Sequence, residues 1–196
     1  MNNKPLLDYI KKYIDLTAEE ETNLLSKIVH RNYLKDQYIV QQGDVCTSIC
    51  FIISGCTKTF YMDKEGQEHI VMFSVEDWWT SDIGSFISQT PSDYSVQCIE
   101  NTELIQFTYD ALEELYAEIP KLERLFRKIV ERAFAASQKR IIRSFSLSAK
   151  ERYVIFKENH PKMEQRVPQY MIASYLGITK EFLSKIKRQL VKTNKS

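Results

Sequence analysis

The sequence predicts an α+β protein in which a β-rich N-terminal half is joined by one long helix to a small helical domain. First, the spacing of apolar residues changes from short β-like runs to a helical period after Tyr109. Second, residues 121–145 contain neither Gly nor Pro, which favours an unbroken helix. Third, 43% of the residues are hydrophobic and only 5 are Gly and 5 Pro, a composition typical of globular proteins. We expect a jelly-roll-like β-roll at residues 1–119, a central helix at 120–145 and a helical domain at 146–196.

The N-terminal segment, residues 6–30, is predicted to be helical because its apolar residues recur at a helical spacing. Thr17 and Glu20 form a capping-box pattern that indicates a new helix start. From about Tyr33 onward, β-favouring runs alternate with turn sequences such as Gly43-Asp44. The predicted strands are Tyr38–Val40, Cys50–Ile53, Thr57–Met62, His69–Phe73, Ser95–Ile99 and Glu103–Phe107. Short strands at this spacing are typical of a sandwich or jelly roll.

The long central helix is predicted to be a dimerisation element. Pro120 stands at its start, and cations on other faces leave one apolar seam along it. The residues of this seam, which we expect at the interface of a homodimer, are Leu122, Phe126, Ile129, Ala133 and Ala136. The same pattern also fits a helix that packs on its own β domain.

The charge of the chain is divided unequally between its two ends. Residues 137–196 contain 14 Lys or Arg and 4 Asp or Glu, whereas residues 1–136 contain 13 basic and 22 acidic residues. A basic end on a nearly neutral protein indicates a polyanionic partner, of which nucleic acid is the commonest. A merely solvated basic surface is the alternative.

The C-terminal segment carries the pattern of a helix-turn-helix. A capping box at Ser148 opens one helix, which His160-Pro161 ends, and Pro168 opens the next. Gly177 can adopt the left-handed conformation that a tight turn requires, and Thr179 is an N-cap for the following helix.

The last of these helices has two opposed faces. Phe182, Leu183, Ile186 and Leu190 are predicted to pack, while polar residues point the other way and are free to read base edges in the major groove. The predicted DNA-binding residues are Gln169, Thr179, Lys180, Glu181, Ser184, Lys185 and Arg188. Their partner would be double-stranded DNA with an inverted-repeat operator, because a dimer presents two such helices.

At this point the sequence resembles the Crp/Fnr family of bacterial transcription regulators. The resemblance is carried by the string Gln169-x-x-Ile172-Ala173-x-x-Leu176-Gly177-Ile178-Thr179-x-Glu181-x-x-Ser184-Lys185. It extends upstream to Gln42-Gly43-Asp44, Phe51–Gly55 and the hairpin Asp63–Gln67. It implies a cyclic-nucleotide-binding-like β-roll, a winged-helix-like C-terminal domain, dimerisation along the central helix and RNA polymerase as a partner.

Two features depart from the family pattern. Lys185 stands where the family usually has Arg, which replaces a bidentate fork by a point donor. Only six residues follow Leu190, so we expect no β-hairpin wing after the reading helix.

The effector of the β-roll is not identified by the sequence. The resemblance implies a phosphate held by an Arg and a Gly-Glu pair, but Ser81-Asp82 stands at the expected Gly-Glu position, and residues 65–120 contain no Lys or Arg. We therefore expect that neither cyclic AMP nor cyclic GMP binds. The candidate pocket for another small-molecule effector consists of Trp78, Trp79, Ser81, Asp82 and Tyr94; the two tryptophans could equally close a core.

Other functional classes find less support in the sequence. No catalytic constellation, metal site or cofactor is expected, since His30, His69 and His160 are scattered. Cys46, Cys50, Cys56 and Cys98 are interpreted mainly as buried hydrophobes, because no cysteine precedes Cys46 and none forms a C-x-x-C pair. A binding module that regulates a partner protein is the alternative to DNA binding. The polar N-terminus and the absence of long apolar runs predict a cytoplasmic protein with no membrane segment.

Overall fold

The computed structural model describes residues 2–193 and confirms the α+β fold class. Residue 1 and residues 194–196, at the ends of the first and third predicted segments, lie outside the described residues. The helices are α1 Lys4–Ile10, α2 Ala18–Ser26, α3 Ile83–Ser88, α4 Tyr109–Glu118, α5 Lys121–Ser146, α6 Ala149–Asn159, α7 Met163–Arg166, α8 Gln169–Tyr175 and α9 Lys180–Thr193. The strands are β1 Val29–Tyr33, β2 Tyr38–Val40, β3 Ser48–Ser54, β4 Thr57–Met62, β5 Glu68–Ser74, β6 Trp79–Thr80, β7 Ser95–Cys98 and β8 Thr102–Thr108.

The strands form two four-stranded antiparallel sheets, as a jelly roll requires. The first sheet has the order β1-β8-β3-β6, and the second has the order β2-β7-β4-β5. In the first sheet Phe51 stands opposite Ile105, and both side chains are fully buried. They join Val40 and Val96 of the second sheet in one apolar cluster, which shows that this core lies between the two sheets.

The N-terminal segment is only partly helical, so the prediction of helix over residues 6–30 is wrong at its end. The capping box at Thr17 is confirmed, because its hydroxyl accepts the Glu20 N–H and the Glu20 carboxylate accepts the Thr17 N–H. Residues 29–33 instead form β1, in which Val29 stands opposite Gln106 of β8. Because β1 has few apolar residues, it is a strand through its pairing with β8. The local periodicity of the sequence does not reveal this pairing.

The six predicted strands are confirmed to within two residues at each end. Two short elements between them were not predicted, namely β6 and α3. The first has only two residues, Trp79 and Thr80, which pair with Phe51 and Cys50. The second begins at the N-cap Asp82, whose carboxylate accepts the Ser85 N–H at 3.1 Å.

The first turns of α5 pack on the protein's own β-roll, which corrects part of the predicted dimer seam. Leu122 is 0% exposed, so it cannot contact a partner chain. Phe126 and Ile129 pack against the core between the sheets, with the Phe126 ring centroid 5.0 Å from that of Trp79. Apolar packing of α5 on its own β-roll therefore extends from Leu122 to Ile129, and dimerisation stays a prediction for the rest of the helix.

The second sheet also supplies a face to the C-terminal domain. An extra residue on β5 shifts its register with β4 and places Ile70 and Phe73, three positions apart, on the same side as Phe60. These residues belong to a second apolar cluster together with Ile172 of α8 and Leu176, the C-cap of that helix. The Ser174 hydroxyl accepts the Ile70 N–H at 3.1 Å and donates to the Glu68 carbonyl at 2.9 Å, which joins α8 to β5.

Arg166, at the end of α7, adds polar contacts between the C-terminal domain and the β-roll. Its guanidinium pairs with Glu76 at 2.8 Å and with Glu100, and it donates to the Gly55 carbonyl at 2.8 Å. The Gly55 N–H donates in turn to Glu76. Gly55 has a φ of +110°, and a Cβ there would lie 2.7 Å from the Thr102 Cα, so the position requires glycine.

We predict that Arg166→Ala weakens the attachment of the C-terminal domain to the β-roll. The substitution leaves the Gly55 carbonyl and two carboxylates without their cation, and the free energy of unfolding should fall by about 1–3 kcal/mol. Native-state hydrogen exchange at the Ile70 amide, which donates to Ser174, should accelerate. Urea denaturation and exchange mass spectrometry measure the two effects.

The matched control for this prediction is Arg127→Ala, which removes an exposed pair with Glu131 on α5 and should change stability by less than about 0.5 kcal/mol. Burial raises the pKa of Glu76 and is the largest single effect, but the hydrogen bond from Arg166, the backbone N–H donors and the Arg166 charge together outweigh it, so the net pKa is lowered. The contribution of Arg166 is therefore present at neutral pH and lost as the pH falls below about 4. Equal effects of the two substitutions, or a pH-independent difference from the wild type, would contradict this role.

Candidate nucleic-acid interface

The helix-turn-helix predicted at residues 168–190 is present as α8, a tight turn and α9. Gly177 has a φ of +66° and lies in the turn, as predicted. The Ile178 N–H donates to the Ala173 carbonyl at 3.0 Å, which closes the turn. The Thr179 hydroxyl accepts the Phe182 N–H at 3.2 Å and caps α9, which confirms the predicted N-cap.

The two helices are fixed against each other by a buried apolar contact. Ala173 of α8 and its C-cap Leu176 pack in the same cluster as Leu183 and Ile186 of α9, and all four are buried. The small side chain of Ala173 allows a close approach of the two helices. The orientation of α9 is consequently set by packing, and its opposite face is left to solvent.

That opposite face carries the polar residues that the sequence assigned to base reading. Glu181, Ser184, Lys185 and Arg188 are all exposed. Among residues 2–191, whose side chains the structure describes, no ion pair involves Glu181, Lys185 or Arg188, and the Arg188 Nε donates only to the Ser184 carbonyl of its own helix, at 3.4 Å. Unpaired charges on a rigid helix can bind a ligand without first breaking internal ion pairs.

The remaining predicted DNA-binding residues lie at the ends of the two helices. Thr179 and Lys180 are exposed at the start of α9. Gln169 is half-buried, and its side-chain carbonyl accepts from the Lys187 Nζ at 3.0 Å. Lys187 also pairs with Glu164 at 2.6 Å, so Gln169 belongs to a group of contacts that joins α8 to α9.

Phe182 does not pack with the apolar face of α9, so the prediction for this residue is wrong. It is 46% exposed, whereas Leu183 and Ile186 are 1% and 2% exposed. The apolar cluster contains Leu183 and Ile186, with Leu190 packed against it, and does not include Phe182. The reason is geometric, because Phe182 lies at the edge of the apolar stripe on a helix with about 100° per residue.

Several basic residues of the C-terminal segment are used inside the protein, which the sequence did not reveal. Arg152 donates to the carbonyls of Leu147 at 2.8 Å and of Leu176 at 3.2 Å, and so anchors the end of α8. The Arg140 guanidinium lies 5.1 Å from the centre of the Tyr175 ring. The excess positive charge of the segment is thus shared between internal contacts and the exposed face of α9.

The five predicted effector residues do not surround one cavity. The Trp79 ring packs in the core against Phe51, Phe107 and Phe126, and the Trp78 ring meets that of His160 at 5.7 Å. Trp79 therefore fits the alternative in which it closes a core, whereas Trp78 is 37% exposed and lies at the surface against His160. Two surface cavities, of about 210 and 550 Å³, are lined by residues 38–48 and 147–155 respectively, and neither contains a predicted effector residue.

The remaining predicted effector residues belong to the loop around α3. Asp82 is buried, and its carboxylate is already occupied by the Ser85 N–H and by the Ser92 hydroxyl at 2.6 Å. The Tyr94 carbonyl lies 2.7 Å from the same hydroxyl, and Ser81 is half-buried beside Asp82. The Asp82 carboxylate and the Ser92 hydroxyl therefore already have hydrogen-bond partners within the loop.

All four cysteines are buried and free. Burial raises the pKa of each thiol, to about 12 for Cys50 and Cys56. A raised pKa suppresses the thiolate that both oxidation chemistry and metal binding need. No group of three or more His, Cys, Asp or Glu side chains suited to a metal ion occurs within residues 2–193.

Comparison with known proteins shows what this chain is similar to. Residues 30–118 match the model of the cyclic nucleotide-binding domain. The chain is 26% identical to the anaerobic regulatory protein of Haemophilus influenzae, over 86% of this chain and 70% of that protein. It is 24% identical to the transcriptional activator protein Anr of Pseudomonas protegens, over 85% and 73% respectively. Its fold matches FixK2 of Bradyrhizobium japonicum with a TM-score of 0.76 at 16% identity, over 85% of this chain and 86% of that one.

The chain is similar to transcription regulators of the Crp/Fnr family, in agreement with the resemblance found in its sequence. Members of the Crp/Fnr family are transcription regulators and not enzymes, in agreement with the sequence prediction. No strand occurs between Tyr109 and Thr193, so within the described residues the helix-turn-helix has no β wing. None of the helices described here combines the length and apolarity that crossing a membrane demands.

Proposed function

We propose that this protein is a homodimeric transcription regulator that binds an inverted-repeat DNA operator through α9. The observation that carries the proposal is the exposed face of α9, on which Glu181, Ser184, Lys185 and Arg188 stand without ion-pair partners among the described residues. A helix of this width fits the major groove of B-DNA, where each base pair presents a distinct pattern of donors and acceptors. Such DNA lies in the cytoplasm of a bacterium, where the protein would act.

The positions of these side chains along α9 suit some of them to contact bases and others to contact phosphates. Glu181 and Lys185 are one turn apart near the N-terminus of the helix, the part that reaches base edges. Lys185 would donate to guanine, and Glu181 would accept from cytosine. Arg188 lies about one turn further along and would contact the phosphate backbone.

The ends of the two helices would supply further phosphate contacts. Thr179 and Lys180, exposed at the start of α9, present a hydroxyl and an ammonium group beside free backbone N–H groups. Gln169 stands at the first turn of α8, with its amide nitrogen available while its carbonyl holds Lys187. These contacts would fix the register of α9 on the duplex without reading sequence.

The second half of α5 offers the surface for a second copy of the chain. Beyond Ile129 this helix carries five exposed large apolar residues, of which Ile142 stands apart from the others; the other four are Val130, Phe134, Ile141 and Phe145, with Phe134 63% and Phe145 87% exposed. They follow one another at spacings of 4 or 7 residues along one side of the helix, as in a coiled-coil seam. Ala133 of the predicted seam is also exposed and borders this stripe, whereas Ala136 is exposed on nearly the opposite side of the helix, so the proposed surface differs from the predicted seam.

The sensor half would not use a cyclic nucleotide. The space between the first sheet and α5 is filled by the rings of Trp79, Phe107 and Phe126, with centroids 5.0 to 6.3 Å apart. The nearby Asp82 is buried and brings negative charge, and a phosphate there would find no Lys or Arg within residues 65–120. A different small-molecule effector and a contact with RNA polymerase remain parts of the proposal that the family resemblance supports.

We predict that substitutions on α9 impair DNA binding in two distinct ways. Lys185→Ala or Glu181→Ala should cost about 1–3 kcal/mol on the best operator and relax preference at one base pair in each half-site. Arg188→Ala should weaken binding to all sequences and lower the salt slope by about one for each phosphate that is no longer neutralised. Binding selections followed by anisotropy titrations at several salt concentrations measure both, and half-sites about 34 Å apart are expected.

Lys150→Ala, an exposed cation on α6 away from the reading face, is the control and should leave base preference unchanged. Salt-independent binding, a single unrepeated site, or an unaltered base preference in Lys185→Ala would contradict the reading role of α9. Binding to a partner protein with no affinity for DNA would favour the alternative of a protein-regulating module.

We predict that the double variant Phe134→Glu with Ile141→Glu is a monomer. Burying these carboxylates against a second copy would leave four unpaired charges in the interface, enough to raise the dissociation constant by at least about a hundredfold. Light scattering should show twice the 23.1 kDa chain mass for the wild type and the single mass for the variant. Lys139→Glu, which lies on the opposite side of α5, should remain a dimer; an unchanged mass in the double variant would exclude this interface.

We predict that isothermal titration calorimetry detects no micromolar binding of cyclic AMP or cyclic GMP to the wild-type protein. The reason is that the ring cluster around Trp79 and the carboxylate of Asp82 leave neither space nor a cation for the cyclic phosphate. A Crp/Fnr protein with a known nucleotide requirement serves as the positive control. Saturable binding with one site per chain would overturn this part of the proposed function.

A further inference from the structure

Phe182 is an exposed apolar side chain on the first turn of α9, and the fold does not use it. Its side chain is 46% exposed, and it is absent from the cluster that buries Leu183 and Ile186. None of the aromatic ring contacts found within residues 2–193 involves Phe182. The ring is therefore available to something outside this chain.

The position of Phe182 is fixed by the cap of the helix. Its N–H donates to the Thr179 hydroxyl at 3.2 Å, so its backbone is held at the rigid start of α9. Glu181 precedes it, and Lys185 follows three residues later, about 60° around the helix and about 4.5 Å along it. The ring thus flanks the two side chains that would meet base edges.

The major groove presents one apolar group that the Phe182 ring could contact. Base edges there present hydrogen-bond donors and acceptors, which a phenyl ring cannot use, and the C5-methyl group of thymine, which it can. An exposed ring that displaces water from this methyl group gains apolar burial, whereas a ring set against a polar edge leaves that edge unsatisfied.

We propose that Phe182 is a specificity-determining residue that packs on the C5-methyl group of a thymine, in each half-site, next to the base pair that Lys185 and Glu181 read. This inference rests on the proposed function of α9 in DNA binding. It adds a hydrophobic requirement to an otherwise polar reading surface. Each operator half-site should then contain one thymine at which the methyl group itself, rather than the pairing of the base, is recognised.

The test replaces thymidine by deoxyuridine in the selected operator, one symmetry-related pair at a time. This exchange removes only the C5-methyl group and leaves every hydrogen-bonding group in place. The wild-type dimer should bind about fourfold less tightly for each methyl group removed at one thymine position, which is about 15-fold for the pair. At the remaining thymine positions the same exchange should have little effect.

The variant Phe182→Ala should bind the thymidine and deoxyuridine operators equally at that one position. Phe182→Leu, which keeps an apolar side chain, should retain part of the difference. Tyr170→Ala removes another exposed aromatic side chain, at the start of α8, and should leave the full difference in place. Salt slopes and thermal unfolding measured alongside show whether each variant is folded and still binds DNA.

The outcomes separate this inference from the function on which it rests. If the wild type binds DNA with sequence preference but does not distinguish thymidine from deoxyuridine at any position, the role of Phe182 is refuted and DNA reading by α9 stands. The role is also refuted if Phe182→Ala keeps the wild-type difference. If the wild type shows no salt-dependent binding to DNA, both the inference and the proposed function fail.

Discussion

The arrangement of this protein depends on the apolar face of its second sheet, which the C-terminal domain covers. Phe60, Ile70 and Phe73 form that face, and they share one apolar cluster with Ile172 and Leu176 of the helix-turn-helix. Apolar surface of this kind is stable only when another element buries it. The position of the reading helix relative to the β-roll is therefore set by packing, and Arg166 and Ser174 add directional polar contacts at the same junction.

The helix α5 connects the two clusters and changes its environment along its length. Its first turns are part of the core between the sheets, where Phe126 meets Trp79, and its later turns carry exposed apolar residues from Val130 onward. Because a helix of this length is a stiff rod, the orientation of its exposed half follows from the packing of its first half. The surface proposed for dimerisation is thus positioned by the interior of the β-roll.

The basic residues of the C-terminal segment have two different roles, which the amino-acid composition does not distinguish. Arg152 and Arg166 hold backbone carbonyls and carboxylates inside the protein, while Lys185 and Arg188 have no ion-pair partner among the described residues. A cation that already satisfies internal acceptors contributes to the fold, and an unpaired cation on a rigid surface is available to a polyanion. The net charge predicts that the segment has an anionic partner, and the internal hydrogen bonds and ion pairs show which side chains are left to face it.

Local sequence by itself determined the elements whose signals are local. The capping boxes at Thr17 and Ser148, the left-handed Gly177 and the N-cap Thr179 follow from interactions within a few residues, and the structure contains all of them. The strands β2 to β5, β7 and β8 and the polar face of α9 were predictable for the same reason, because β-favouring runs and a helical period are visible in the sequence. Tertiary structure alone decided the strand β1, which exists because it pairs with β8, and the burial of Leu122, which depends on the β-roll beside it. It also decided the exposure of Phe182 and the roles of Arg152 and Arg166. Whether a side chain at the edge of an apolar stripe is covered, and which acceptor a cation contacts, depends on residues that are distant in the chain.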